Sequence, residues 1–180
     1  MKIIDKMKLD DGREIIIRFP EKNDAKEAWK FYNKVIKETE SLSRITPVSL
    51  KDEKKWVDEV ILKMKKKKSV NLFAEHDGKI IGSASIERKT DQRKSHVGRF
   101  GICILQEFTG IGLGRRMMTE IEKESRKMKL EVLELDVFGK NKIAQKLYNK
   151  MGFTSIGEIP RSVKIKDGYD SDIIMYKVLR

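Results

Sequence analysis

The chain of 180 residues has little cysteine and proline, and no long apolar run. Its single cysteine, Cys103, excludes an internal disulfide and supplies no cysteine cluster for a metal. No stretch of about 18 apolar residues is present, and the N-terminus lacks the apolar segment of a secretory signal peptide. We therefore predict one domain, residues 1–180, located in the cytoplasm, with no bound metal.

Acidic residues are outnumbered, with 28 Asp and Glu against 40 Lys and Arg, a formal net charge of +12. Such a surplus can attract nucleic acid, a membrane surface or an anionic cofactor. The densest basic cluster, residues 63–68, ends a helical pattern, where the helix dipole favours cations. No aromatic residues are interleaved with it as stacking platforms. We predict neither a nucleic-acid nor a membrane partner, although a basic nucleic-acid-binding protein remains a rival interpretation.

Apolar periodicity predicts elements in the order β-α-α-β-β-β-α-β-α-β-β, a mixed α/β (α+β) sheet with helices on both faces. The first strand covers residues 13–19, and a capping box of Asp24 and Glu27 opens the first helix. Ser49 caps the second helix, and Asn141 begins the last, which Gly152 closes. The other predicted strands cover residues 70–75, 79–86, 96–105, 132–137, 153–158 and 172–178.

The most informative stretch runs from Leu105 to Met118 and joins an apolar strand to a helical pattern. Glycines occupy alternate positions from 110 to 114. At a helix N-terminus the free N–H groups and the dipole favour a phosphate, and glycine lets the backbone approach it. The stretch is neither a P-loop nor a dinucleotide fingerprint, because Arg115 and Arg116 stand where those motifs need other residues. A turn that serves only packing is the alternative.

Two motifs carry a family resemblance. Gly112-x-Gly114 followed by Arg115 resembles the pyrophosphate loop of the GNAT N-acetyltransferase superfamily, whose pattern is Arg/Gln-x-x-Gly-x-Gly/Ala. Thr109 replaces the usual Arg or Gln. Residues 141–153 resemble the family's Asn-x-x-Ala-x-x-Leu-Tyr-x-x-x-Gly-Phe signature, and the predicted element order is that of the same family. The tail, residues 167–176, is similar to the ribosomal-protein and protein N-terminal acetyltransferases of this superfamily.

The resemblance implies acetyl-CoA as the donor, a primary amine as the acceptor, and no metal. It implies that the pantetheine arm pairs with the strand before the glycines and that the pyrophosphate lies on the following N–H groups. The residues implied to bind acetyl-CoA are Ile102, Cys103, Ile104, Thr109, Gly110, Ile111, Gly112, Leu113, Gly114, Arg115, Asn141 and Tyr148. From its mid-strand position, Cys103 is itself expected to be a small buried hydrophobe.

Tyr148 is the predicted general acid. It lies one helical turn beyond Ala144 on an apolar stripe, and the resemblance implies that it protonates the departing CoA thiolate. A buried structural tyrosine is the alternative. Asp136 is the predicted general base, acting directly or through water, because related ribosomal-protein enzymes carry a glutamate five residues before the asparagine. Glu134, on the same strand face, and Glu87 are lesser candidates.

Glu38, Glu40 and Glu134 are candidate acceptor-binding carboxylates, since an anion suits a cationic amine. A solvated connector is the alternative for the first two, and His96 is expected at a strand end. We predict an N-acetyltransferase, a monomer or homodimer, acting on a protein N-terminus or lysine. A polyamine-like small amine is the alternative acceptor, and a non-catalytic CoA-binding module is the alternative function.

Overall fold

An eight-stranded sheet in the order β1-β2-β3-β4-β5-β6-β8-β7 forms the centre of the protein. The computed structural model describes residues 2–179. The strands are β1 Ile3–Lys8, β2 Glu14–Arg18, β3 Ser69–His76, β4 Lys79–Arg88, β5 Val97–Ile104, β6 Val132–Phe138, β7 Thr154–Ile165 and β8 Gly168–Val178. The helices are α1 Ala25–Glu38, α2 Leu50–Lys65, α3 Leu113–Lys127 and α4 Lys142–Lys150.

The helices lie on both faces of the sheet. Because side chains alternate along a strand, successive residues of β3 point to opposite faces. Phe73 meets α2, with its ring 6.4 Å from that of Trp56. On the other face α3 packs so closely that a Cβ at Gly82 would lie 3.2 Å from Sδ of Met117. Every neighbouring strand pair is antiparallel except β5 and β6. The predicted fold class, a mixed sheet with helices on both faces, is confirmed.

The predicted order of elements is also confirmed, with one strand missed. β1 lies at the sheet edge and pairs with β2. Its sequence, Ile-Ile-Asp-Lys-Met-Lys, does not alternate apolar and polar residues. The last hairpin is longer than predicted, because β7 and β8 continue through the expected loop to a tight turn at Lys166 and Asp167. Both faces of β7 are largely exposed, so its sequence carries no periodic apolar signal.

The predicted capping box of Asp24 and Glu27 is wrong. The Asp24 carboxylate makes two hydrogen bonds of 2.7 Å to the Arg18 guanidinium and accepts a third from the backbone N–H of Glu21. Glu27 instead pairs with Lys30 at 2.7 Å. Arg18 is buried, and its charge recruits Asp24 because a buried guanidinium without a partner is costly.

The other predicted helix ends are confirmed. The Ser49 hydroxyl accepts the backbone N–H of Asp52, and the Asn141 side chain accepts that of Ala144, both at 3.1 Å. Gly152 follows α4 with φ +84°, the left-handed conformation of a helix C-terminus. Within residues 2–179, no helix is long and apolar enough to cross a membrane. A single domain over residues 1–180 stays a prediction.

Candidate active site

The two parallel strands β5 and β6 separate soon after they pair. Their ladder covers only residues 97–99 of β5 and 132–134 of β6. Beyond it, β5 continues to Ile104 with one edge paired to β4, and no strand within residues 2–179 pairs with the other edge. Unpaired strand edges present backbone N–H and C=O groups that can bind an extended ligand. The residues predicted to pair with pantetheine, Ile102, Cys103 and Ile104, lie on this open edge.

The glycine-rich turn presents a row of free backbone donors. Gly110 and Gly112 have φ of +78° and +84°, so the chain turns in a way that side chains disfavour. α3 begins at Leu113 without a side-chain cap. The backbone N–H groups from Gly110 to Arg115 donate no hydrogen bond within residues 2–179. Free donors of this kind, together with the helix dipole, favour an anion.

Gly114 has a different role from its neighbours. A Cβ there would lie 2.9 Å from Cδ2 of Leu147, so a side chain would separate α3 from α4. Thr109, at the position where the family carries Arg or Gln, donates its hydroxyl to the carbonyl oxygen of Gln106 at 2.8 Å. This hydrogen bond links Thr109 to the residue three positions earlier, just before the glycine-rich turn. Contacts of Thr109 and Gly114 with a cofactor stay predictions.

A cavity of about 1050 Å³ joins the open edge of β5 to the space beneath α1 and α2. Its walls come from α1, α2, α4, the sheet and the connector after α1. Glu38, a predicted acceptor-binding residue, lies in this wall. Its carboxylate accepts the backbone N–H of Gln106 at 3.0 Å and so ties α1 to the glycine-rich turn. Glu40 is exposed on the connector.

Tyr148 reaches this cavity from α4. Its ring is buried and packs against the rings of Phe100 and Phe153, with centroids 6.2 and 6.0 Å away. Burial raises the pKa of Tyr148 to about 12, and the nearby Cys103 thiol acts in the same direction. The hydroxyl lacks a hydrogen-bond partner within residues 2–179. It is therefore a protonated donor that is free to meet a ligand.

Asp136 is the one predicted base that lines the cavity. It forms an ion pair with the exposed side chain of Arg99. Asp172 of β8 lines the same wall, and its pKa is raised by burial and by the charge of Asp136. Glu134 is paired with Lys89 at 2.5 Å and Glu87 with Lys63 at 2.6 Å. His96 is exposed at the start of β5.

Asn141 and Cys103 are two further predicted residues that line the cavity. Asn141 lines the cavity, but its amide oxygen already caps α4, so a contact with the cofactor stays a prediction. Cys103 is half-buried on the cavity wall, and desolvation raises the pKa of its thiol to about 12. A thiol that stays protonated is a poor nucleophile. This agrees with its predicted role as a hydrophobe.

Sequence reasoning missed a buried carboxylate that lines the cavity, Glu53. It lies in the first turns of α2 and is only 6 % exposed. Burial raises the pKa of Glu53 to about 7, against the opposing influence of Arg44. A signal was present in the sequence: Glu53 precedes Val57 by four residues and therefore shares its buried face. Trp56, three residues further along α2, is partly exposed and also lines the cavity.

Comparisons with known proteins agree with this geometry. The sequence model of the Acetyltransferase (GNAT) family matches residues 35–153. The L-amino acid N-acetyltransferase of Escherichia coli (strain K12) is 36 % identical over 78 residues, 43 % of this chain and 48 % of that protein. The chain spans about half the length of the curated relatives it matches.

Solved structures share the whole fold. A ribosomal-protein-alanine N-acetyltransferase from Brucella melitensis has a TM-score of 0.81 and 22 % identity, covering 91 % of this chain and 99 % of that one. An acetyltransferase from Salmonella typhimurium, solved with its cofactor acetyl-CoA, has a TM-score of 0.80 and 21 % identity. That match covers 92 % of this chain and 94 % of the other.

The chain belongs to the GNAT acetyltransferase family, because the family model covers well over half of it. The predicted family is confirmed, and a ribosomal-protein acetyltransferase is among the proteins that share its fold. Membership of this family agrees with the predicted class, an N-acetyltransferase that uses acetyl-CoA.

Proposed function

We propose that the protein transfers the acetyl group of acetyl-CoA to a primary amine. One observation carries this proposal: the open edge of β5 and the unpartnered Tyr148 hydroxyl line the same cavity, and the chain continues from that edge through Thr109 into the free N–H groups of residues 110–115. The first N–H groups of any helix lack partners within it, and here Gly110 and Gly112 leave no side chain over these donors. Family membership independently supports the same chemistry.

The residues present fit acetyl-CoA. The N–H groups at the start of α3 suit a pyrophosphate, because both free donors and the helix dipole favour an anion. The unpaired backbone of Ile102, Cys103 and Ile104 suits an amide-containing arm, and side-chain identity matters little there. Bound in this way, acetyl-CoA supplies an activated acetyl thioester.

Tyr148 is proposed as the general acid. When the carbon–sulfur bond breaks, the thiolate needs a proton, and the Tyr148 hydroxyl is protonated across the physiological pH range. Its ring is fixed between Phe100 and Phe153, so the hydroxyl is held in place before the ligand arrives. A positioned proton donor contributes roughly 10²- to 10⁴-fold to such a step.

The acceptor must arrive as a neutral amine or lose a proton in the site, because its lone pair is the nucleophile. An α-amine has a pKa near 8 and lysine about 10.4, so a base is needed at neutral pH. Asp136, the base predicted from sequence, remains a candidate. Its carboxylate is engaged by Arg99, and taking up a proton would break that ion pair.

The acceptor that we propose first is a protein N-terminus or lysine, as the tail motif predicts. A small amine is the second candidate, and one relation favours an amino acid: the relative of 36 % identity is named for acetylating L-amino acids. A cytoplasmic location and a monomeric or homodimeric state are proposed with it.

The test measures free thiol released from acetyl-CoA with peptides bearing a free N-terminus, peptides with only an internal lysine, polyamines and free L-amino acids. Release that depends on one acceptor class supports the proposal and identifies the acceptor. Binding of CoA without acetylation of any amine would favour a non-catalytic CoA-binding module. Absence of CoA binding would contradict the proposal itself.

A further inference from the structure

Glu53 is a buried carboxylate with no partner of its own. The residue is 6 % exposed, and no hydrogen bond or ion pair engages its side chain within residues 2–179. Burying an ionised carboxylate without a partner is costly, so such groups are normally protonated, paired or used. The side chain lines the cavity. A cationic ligand in the cavity would therefore meet a carboxylate that makes no hydrogen bond or ion pair within residues 2–179.

A second polar side chain faces the same space from the sheet. Asn71 of β3 is 5 % exposed, and its amide makes no hydrogen bond within the described residues. Asn71 pairs across the sheet with Ser85 of β4, and Ser85 pairs with Gly101 of β5. Both of these residues also line the cavity. The floor beneath α2 is thus polar, although it lies inside a largely apolar domain. This is the composition of a binding site rather than of a packed core.

The titratable groups that face Glu53 come from three elements. Arg44 lies on the connector after α1, Tyr32 on α1 and Cys103 on β5. Arg44 is cationic and favours the ionised carboxylate, whereas burial favours the protonated form. The Cys103 thiol is near enough to both Glu53 and Tyr148 to influence each electrostatically. Glu53, Cys103 and Tyr148 all line the same cavity.

We propose that Glu53, with Asn71 on the facing strand, forms the subsite that binds the ammonium group of the acceptor and receives its proton. The inference rests on the proposed acetyl transfer. The ammonium gives one proton to the Glu53 carboxylate, and the freed lone pair forms the bond to the acetyl carbon. As the carbon–sulfur bond breaks, Tyr148 protonates the thiolate and recovers a proton from the new amide nitrogen. Glu53 returns its proton to solvent, which balances the reaction.

The first experiment measures amine binding without chemistry. Butylammonium and butanol, which match in shape but not in charge, are titrated calorimetrically into protein saturated with CoA. The wild type is expected to bind butylammonium at least tenfold more tightly than butanol, and Glu53→Gln is expected to abolish that preference while binding CoA unchanged. Glu59→Gln is the control, since Glu59 lies on the exposed face of α2. A wild type that shows no preference for the cation overturns the subsite.

The second experiment measures turnover against pH with the best acceptor found. The wild type is expected to lose kcat/KM below about pH 7 as Glu53 becomes protonated. Glu53→Gln is expected to lower kcat about 100-fold at pH 8 and to remove this acidic limb. Loss of the limb in Asp136→Asn, with Glu53→Gln unaffected, overturns the inference and leaves the acetyltransferase intact. Cation binding through Glu53 without turnover would contradict the proposed function instead.

Discussion

The Arg99 guanidinium pairs with the Asp136 carboxylate at the point where β5 and β6 separate. The pair joins the last laddered residue of β5 to a residue of β6 beyond the ladder. It places a cation and an anion together at the base of the opening into which the acetyl donor is proposed to extend. A carboxylate held in this way is a positioned partner of Arg99, whereas the buried and unpartnered Glu53 is free to exchange a proton.

Asp136→Asn is therefore expected to lower kcat by less than about tenfold and to leave the acidic limb near pH 7 in place. Loss of the ion pair frees Arg99, so the effect should fall mainly on the binding of ligands near that side chain. Steady-state kinetics from pH 6 to about pH 9 would measure both quantities. A loss above about 100-fold, with disappearance of the limb, would return the role of base to Asp136.

Tyr148→Phe is expected to reduce kcat by about 100-fold with little change in CoA affinity, because it removes the proton donor but keeps the ring packing. Since the pKa of Tyr148 is about 12, the wild type should show no alkaline limb from this residue below about pH 10. Tyr169→Phe, at an exposed tyrosine, is the matched control. Equal activity of both variants would show that Tyr148 is only structural.

Glu53→Gln is also expected to change stability in a pH-dependent way. The pKa of Glu53 is raised from 4.5 to about 7 on folding, so between these values the folded protein holds a proton that the unfolded chain has lost. Wild-type stability therefore falls as pH rises through this window. The full rise of the pKa corresponds to about 3 kcal/mol, and water in the cavity screens part of it. Thermal unfolding should therefore show the variant more stable than wild type by about 2 kcal/mol at pH 8 and no different near pH 4. The opposite trend would mean that Glu53 is paired when folded.

Gly112→Ala is expected to weaken CoA binding about tenfold and to destabilise the fold by about 1 kcal/mol. A Cβ at this position has room, with Cε of Met7 3.9 Å away, but φ of +84° disfavours any side chain there. The turn must then relax, and its N–H groups no longer point together. Gly157→Ala, which meets nothing within 4 Å and has no positive φ, is the control. Unchanged CoA affinity in Gly112→Ala would show that the turn does not bind the cofactor.

Much of the fold could be predicted because long segments carry a clear apolar period. α3 shows it in Leu113, Met117 and Ile121, all fully buried. β1 was missed because it is a charged edge strand with exposed residues, and β7 was predicted too short because both of its faces meet solvent. Because neither strand buries one face, neither sequence needs to alternate apolar and polar residues.

The glycine-rich turn and the open strand edge could be expected from the sequence, whereas the surroundings of Glu53 and Asp136 could not. Backbone donors and an open strand edge depend on local sequence, namely glycines and a strand that leads into a helix. Glu53 is buried, with a raised pKa, only because α2 packs on the sheet. Asp136 pairs with Arg99 only because of the register between β5 and β6. Those relations are tertiary. A carboxylate on the buried stripe of α2 was the one local sign of them.

The most direct measurement of the central claim uses acetyl-CoA labelled with carbon-13 in the acetyl group and mass spectrometry of the acceptor amine. We expect the labelled acetyl group in an amide on the acceptor, in equal amount to the CoA released, and strongly reduced in Tyr148→Phe. Release of CoA together with labelled acetate, and with no labelled amide on any amine tested, would contradict acetyl transfer as the function of this cavity.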